Sequence, residues 1–287
     1  MKAYFSLVKF SHTVFALPFA MVGTALGYKM YQVDFDIYLL IKILICMVSA
    51  RNAAMAFNRY IDKDIDKLNP RTSNREIPSN VISPKYALIF VILNCIIFCI
   101  TTLYINNLCF YLSPIALLVI LGYSYTKRFT FLCHFILGIG LGLAPIGAYL
   151  AVTNEFNIIP VLYGITVIFW VGGFDIIYAL QDSSFDIENK LYSIPSKFGI
   201  DNAIQISMIF HNISAICLIC AGYLAYNKIE NLGILFILAN LLFIALLVFQ
   251  HSIVRKKDMS KINLAFFTTN GIASVLFGTL YIIDLIN

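Results

Sequence analysis

Along most of the chain, apolar residues do not alternate with polar ones at a strand period, nor do they mark one stripe of a helix. They form long runs broken by short polar clusters. A helix needs about 20 apolar residues to cross the hydrocarbon of a bilayer. By that measure spans are expected near 12–30, 37–58, 86–105, 108–126, 131–151, 158–181, 204–226, 232–251 and 263–286, nine in all. Lys2 and Lys9 precede an apolar core, as in a signal peptide, but no small-residue cleavage site follows, so this stretch is read as the first span. Pro18, Pro114, Gly138, Gly140, Gly142 and Pro145 punctuate the spans. Small residues let helices approach closely and prolines let them bend, although each alone is also ordinary membrane-helix composition.

Composition removes the soluble alternative. Hydrophobic residues make up 60% of the chain and charged residues 12%, where a soluble domain carries about 25% charge. No polar segment is large enough for a second domain. The chain is therefore expected to be an all-α integral membrane protein, with residues 1–287 forming a single transmembrane domain. The basic residues orient it. With the N-terminus in the cytoplasm, the inner segments hold Lys2, Lys9, Arg59, Lys63, Lys67, Arg71, Arg75, Lys85, Lys127, Arg128, Lys190, Lys197, Arg255, Lys256, Lys257 and Lys261, 16 of the 20. This bias predicts a cytoplasmic N-terminus and an outer C-terminus. The seven cysteines lie in or beside apolar runs and are expected to pack rather than pair. His12, His134, His211 and His251 are scattered and are assigned no chemistry.

Two stretches carry the chemistry. In the first, Arg51, Asn58, Asp62 and Asp66 are spaced 7, 4 and 4, so on a helix they fall along one face. In the second, Asp175, Asp182 and Asp186 repeat the spacing 7 and 4. The charge count sets both on the cytoplasmic side. Carboxylates and a side-chain carbonyl at i, i+4 are hard oxygen ligands suited to Mg²⁺, which bridges to substrate phosphates. The plain alternative for either stretch alone is a solvated loop, of which Asp64 and Glu76 are examples. Arg51 and Asp175 lie about two turns deeper than their own stretch, where charge is costly. They either pair with each other or orient a substrate. Arg71, Arg75, Lys127, Arg128 and Lys197 surround the same face and suit the leaving charge of a diphosphate.

These residues resemble a family. Asn58, Asp62 and Asp66 match the NxxxDxxxD motif, and Tyr178, Asp182 and Asp186 the YxxxDxxxD motif, of the UbiA superfamily of intramembrane prenyltransferases. The segments 69–75, 125–128 and 12–19 are similar to its 4-hydroxybenzoate polyprenyltransferase branch. The resemblance implies nine helices around a central cavity opening to lipid. It further implies Mg²⁺ held on a polyprenyl diphosphate by Asn58, Asp62, Asp66, Asp182 and Asp186, with Arg71, Arg75, Lys127, Arg128, Tyr178 and Lys197 on the substrate. The expected acceptor is a small aromatic acid of respiratory quinone biosynthesis. Benzoate (ubiquinone) and hydroxynaphthoate (menaquinone) both remain open. In the first motif Arg59 stands where many members have Asp. The expected location is a bacterial inner membrane or an organelle inner membrane, with the lipid bilayer and no nucleic acid as surroundings. An ion-coupled transporter would instead place its acids near the bilayer midplane, and a non-catalytic scaffold leaves the matched spacings unexplained.

Overall fold

In hydrocarbon every backbone N–H and C=O must find its partner within the segment, which for single apolar runs leaves the α-helix. The computed structural model describes residues 2–8, 15–254 and 261–287. Among them the regular elements are helical throughout, with no strand. Eight helical segments are long and apolar enough to cross a membrane. At the place of the first expected span lies α2, Leu17–Tyr31, 15 residues long. The start of that expected span, with Lys9 and His12, falls outside the described residues, as do Arg255, Lys256 and Lys257. The turn between the third and fourth expected spans is real, with helices ending at Leu103 and resuming at Asn107.

The described residues form two compact units, one drawn from Met1–Thr13 and Ile37–Tyr125, the other from Val14–Asp36 and Thr126–Asn287. The first contains α1 (Lys2–Leu7), α3 (Ile37–Ile61), α4 (Lys63–Leu68), α5 (Pro84–Leu103) and α6 (Asn107–Thr126, its last residue counted with the second unit). α3 packs on α5 through Ala53, Ala56, Ala87 and Val91, and the connecting loop inserts Ile77 and Ile82 into that core. On α6 the large apolar side chains of Tyr111, Ile115 and Leu118 are exposed, as expected for a helix that meets lipid.

The second unit contains α2, α7 (Cys133–Thr153), α8 (Ile158–Ala179), α9 (Ser183–Glu188), α10 (Ile194–Lys228), α11 (Ile234–Ile253) and α12 (Asn270–Ile286). Its core is aromatic, with Phe19, Tyr163, Trp170, Phe243, Phe277 and Tyr281 fully buried. α7 lies tight on α8 because a methyl at Gly138 would overlap the Ile168 carbonyl, and one at Gly142 would press on Ile168 and the Gly164 carbonyl. Small residues on one face are what let two membrane helices come that near. α10 begins ten residues before its expected span. Ser193 and Ser196 close a capping box at its start, satisfying orphan N–H groups. The first turn then bends into the long helix at Gly199, whose φ of 79° suits glycine.

Candidate active site

The first acidic stretch departs from its expected form. Arg51 to Asp66 is not one continuous helix: α3 ends at Ile61, Asp62 adopts φ −90° and ψ 6°, and α4 restarts at Lys63. A run this dense in Asp and Lys favours a helix end over a helix interior. Four-residue backbone bonds nevertheless run through the break, from Asp62 N to Asn58 O (2.9 Å) and Asp66 N to Asp62 O (2.7 Å). Asn58 Nδ2 therefore still donates to Asp62 Oδ2 at 3.0 Å. Asp66 is buried, and both its oxygens accept from Arg75 Nη1, at 2.6 and 2.8 Å.

Arg75 reaches back because residues 69–82 fold as successive turns. Asn69 N bonds Ile65 O, Arg75 N bonds Thr72 O, and the Thr72 hydroxyl donates to Asp66 O. Ile77 and Ile82 anchor those turns in the core. Arg71 is exposed, and Asp64 has a side chain 86% exposed, 3.5 Å from Lys63. Arg51 Nη1 donates to Val8 O at 2.9 Å. Arg59, the residue at which the first motif departs from the family pattern, is buried in the field of Arg75, Asp66 and Glu76.

The second stretch is assembled from more distant parts of the chain. α8 tightens into a 3₁₀ turn over Leu180–Asp182 before α9. Asp182 and Asp186 are buried, Asp186 completely. Its Oδ1 lies 2.7 Å from Lys127 Nζ, and its Oδ2 accepts from the Ser193 hydroxyl at 2.9 Å. Lys127 is held in turn, since its carbonyl accepts from Tyr192 N at 2.8 Å. Burial pulls the Lys127 ammonium toward neutrality, the Asp186 carboxylate and its hydrogen bond pull the other way, and the balance is upward, so the amine is charged at neutral pH.

Asp175 pairs with His134 Nδ1 at 2.7 Å. Each deep charge thus has a partner in its own unit, and the histidine that holds Asp175 escaped sequence reading because 41 residues separate them. Tyr178 stacks on Phe266 with ring centres 4.1 Å apart. Lys197 is exposed with Nζ 3.8 Å from the Phe131 ring centre, Arg128 is half-buried, and Glu188 is exposed.

The donors can be tested for Mg²⁺ on their chemistry. Among the described residues no three His, Cys, Asp or Glu side chains gather closely enough to hold a metal alone. Each unit instead offers a pair of carboxylates, with the Asn58 amide added in the first, and no nitrogen or sulfur donor in either pair. That set fits Mg²⁺ in its usual mode, one or two carboxylates completed by water and substrate phosphate. It does not fit an all-protein cage.

The UbiA prenyltransferase family model matches residues 16–272. A 4-hydroxybenzoate octaprenyltransferase of Aliivibrio fischeri (strain MJ11) is 26% identical over 242 residues, covering 84% of this chain and 82% of its own length. One from Francisella tularensis subsp. mediasiatica is 29% identical over 239 residues, 82% of each chain. Among solved structures, a UbiA homolog from Aeropyrum pernix K1 superposes with a TM-score of 0.84 at 31% identity, over 95% of this chain and 98% of that one. A UbiA homolog from Archaeoglobus fulgidus bound to GPP and Mg²⁺ has the same fold, with a TM-score of 0.77 at 19% identity over 99% and 100% of the two chains.

Proposed function

We propose the following reaction for this chain, which belongs to the UbiA prenyltransferase family: Mg²⁺-dependent transfer of a polyprenyl group from its diphosphate to a small aromatic acid of the 4-hydroxybenzoate type, in respiratory quinone biosynthesis. One observation carries the reading. Both motifs keep two carboxylates four residues apart, and in each the last carboxylate is neutralised by a basic side chain of its own unit, Asp66 by Arg75 and Asp186 by Lys127. Polar groups buried in matched ion pairs at both stretches are more than solvated loops require, and acids and bases together are what a metal–diphosphate needs. The likeness to 4-hydroxybenzoate octaprenyltransferases and to a UbiA homolog bound to GPP and Mg²⁺ supports the donor and the acceptor class.

In this reading Asn58, Asp62, Asp66, Asp182 and Asp186 hold Mg²⁺, which when bound shields the diphosphate charge. Arg71, Arg75, Lys127, Arg128 and Lys197 stabilise the departing diphosphate by charge-assisted hydrogen bonds. The allylic C–O bond breaks with its electron pair going to the diphosphate. A ring carbon of the acceptor attacks the allylic cation and then loses its proton. Tyr178 lies on the substrate, and Arg51 or Asp175 orients the acceptor's carboxylate or hydroxyl. The chain is one domain of nine spans around a cavity open to lipid, with a cytoplasmic N-terminus and the active site at the cytoplasmic side of the inner membrane.

The test is purified protein with Mg²⁺, a labelled prenyl diphosphate and a panel of aromatic acids, read by product mass. A prenylated hydroxybenzoate with release of diphosphate is expected, abolished by chelator and restored by Mg²⁺ or Mn²⁺, with Ca²⁺ supporting turnover poorly. Full turnover in excess chelator overturns the metal assignment. Exclusive use of a hydroxynaphthoic acid moves the reaction to menaquinone.

A further inference from the structure

The His134–Asp175 pair lies at the end of a close contact between α7 and α8. His134, Gly138 and Gly142 recur every four residues along one face of α7. The glycines bring that face against the α8 backbone at Ile168 and Gly164. One turn beyond Gly138, the imidazole meets the Asp175 carboxylate at 2.7 Å. The ring is 3% exposed, whereas the Asp175 side chain, tied to it through Oδ2, is 24% exposed, so the carboxylate is held yet keeps part of its surface open.

The hydrogen bonds set the tautomer. Ile194 N donates to His134 Nε2 at 3.3 Å. A nitrogen that accepts carries no proton, so Nδ1 bears the hydrogen and donates it to Asp175 Oδ2. Ile194 opens α10, and its neighbour Ser193 donates to Asp186 at 2.9 Å. A single polar chain, from Asp175 through His134 to the start of α10 and on to Asp186 and Lys127, therefore links the deep carboxylate to the acid proposed for the diphosphate.

We propose that His134 is a positioning residue for the acceptor. It locks Asp175 in one orientation, so that its open surface receives the acceptor's phenolic hydroxyl, and it registers that carboxylate to the segment holding Asp186. An ionised carboxylate accepts from a hydroxyl and repels a second carboxylate, so it also sets which end of the aromatic acid faces it. This assignment rests on the prenyl-transfer reading above and adds to it a residue that no motif contains.

Kinetics of His134→Phe, His134→Asn, Asp175→Asn and the His134→Phe/Asp175→Asn double variant test the proposal, with both substrates varied. His134→Phe is expected to raise the acceptor KM about tenfold or more and leave the prenyl diphosphate KM within about twofold, the cost of a lost hydrogen bond to a charged group. His134→Asn places an amide N–H near the position of Nδ1 and should stay within about threefold of wild type. The double variant should be no worse than Asp175→Asn alone, because the two residues act as one unit. If His134→Phe does not fold, His134→Gln, which keeps volume without the Nδ1 donor, takes its place. The same cycle read by thermal unfolding in detergent, without substrate, should show coupling. Wild-type kinetics in His134→Phe, equal rises in both KM values, or additive effects would each overturn the proposal. If wild type prenylates no aromatic acid, the function reading fails and the acceptor role with it. A cycle with no coupling would separately overturn the His134–Asp175 linkage.

Discussion

The two acidic stretches share a spacing and differ in how they are built. In the first, the contacts at the acids lie within one short segment, Asn58 meeting Asp62 four residues on and Asp66 meeting Arg75 nine residues on, and only the deeper Arg51 reaches farther, to Val8. In the second, Asp186 takes Lys127 from the turn after α6 and Ser193 from the start of α10, and Asp175 takes His134 from α7. The first is a local device whose geometry follows from one loop. The second is a tertiary device that exists only once α7, α8 and α10 have packed. Burial of the acids follows the same division, Asp66 being 7% exposed and Asp186 fully enclosed, while the bases run the other way, Arg75 at 23% and Lys127 at 34%. Equal motifs therefore carry unequal structural consequences.

The largest expected effect ignores that difference. Asp62→Asn, Asp66→Asn, Asp182→Asn and Asp186→Asn should each reduce turnover by about 100-fold or more, because each removes charge from the metal and leaving group together. Steady-state rates at saturating Mg²⁺ measure it. A stretch whose two substitutions leave turnover within about threefold of wild type would break the symmetry and reduce the proposed site to the other stretch. The next effect separates the two. Lys127→Met leaves a fully buried carboxylate uncompensated, which costs about 3–5 kcal/mol in a dry interior and, with Lys127 partly open to water, about 2 kcal/mol here. Arg75→Met exposes a shallower carboxylate and should cost about 1 kcal/mol. Unfolding in detergent would report the ranking, and Asp186→Asn in the Lys127→Met background should recover most of the loss. Equal destabilisation by Lys127→Met and Arg75→Met would erase the local–tertiary distinction.

The same distinction explains what was legible in the sequence. Spans stand out because a hydrocarbon solvent demands long apolar runs, and the segment from Ile37 to Thr126 was readable to within a few residues. The acids were legible because spacing is a property of one chain segment. Arg75 was placed among the site's basic residues for the same reason. His134 was not, since nothing in its own neighbourhood marks a lone histidine in an apolar run. Its only signal was the four-residue repeat with Gly138 and Gly142, which fixes a contact face but not a partner. The break at Asp62 leaves no mark in the spacing of the acids, because helical spacing does not require helix continuity. The backbone bonds through the break keep the first without the second.

The smallest expected effect is the sharpest on that point. Asp62, Asp64 and Asp66 are three identical side chains within five residues. On an unbroken helix Asp64 lies about 200° round from Asp62, but the break at Asp62 makes that angle an unsafe guide. Burial replaces it: the Asp64 side chain is 86% exposed and Asp66 is buried against Arg75. A carboxylate in water, 3.5 Å from a neighbouring lysine, contributes little to stability or to a bound anion. Asp64→Asn should therefore leave turnover within about threefold of wild type and unfolding unchanged, surface substitutions usually lying within about 0.5 kcal/mol. Glu188→Gln, exposed at the end of α9, should behave alike in the second stretch. An inactive Asp64→Asn beside an active Asp62→Asn would show that the acids work in a different register, with the break at Asp62 turning Asp64 inward during turnover.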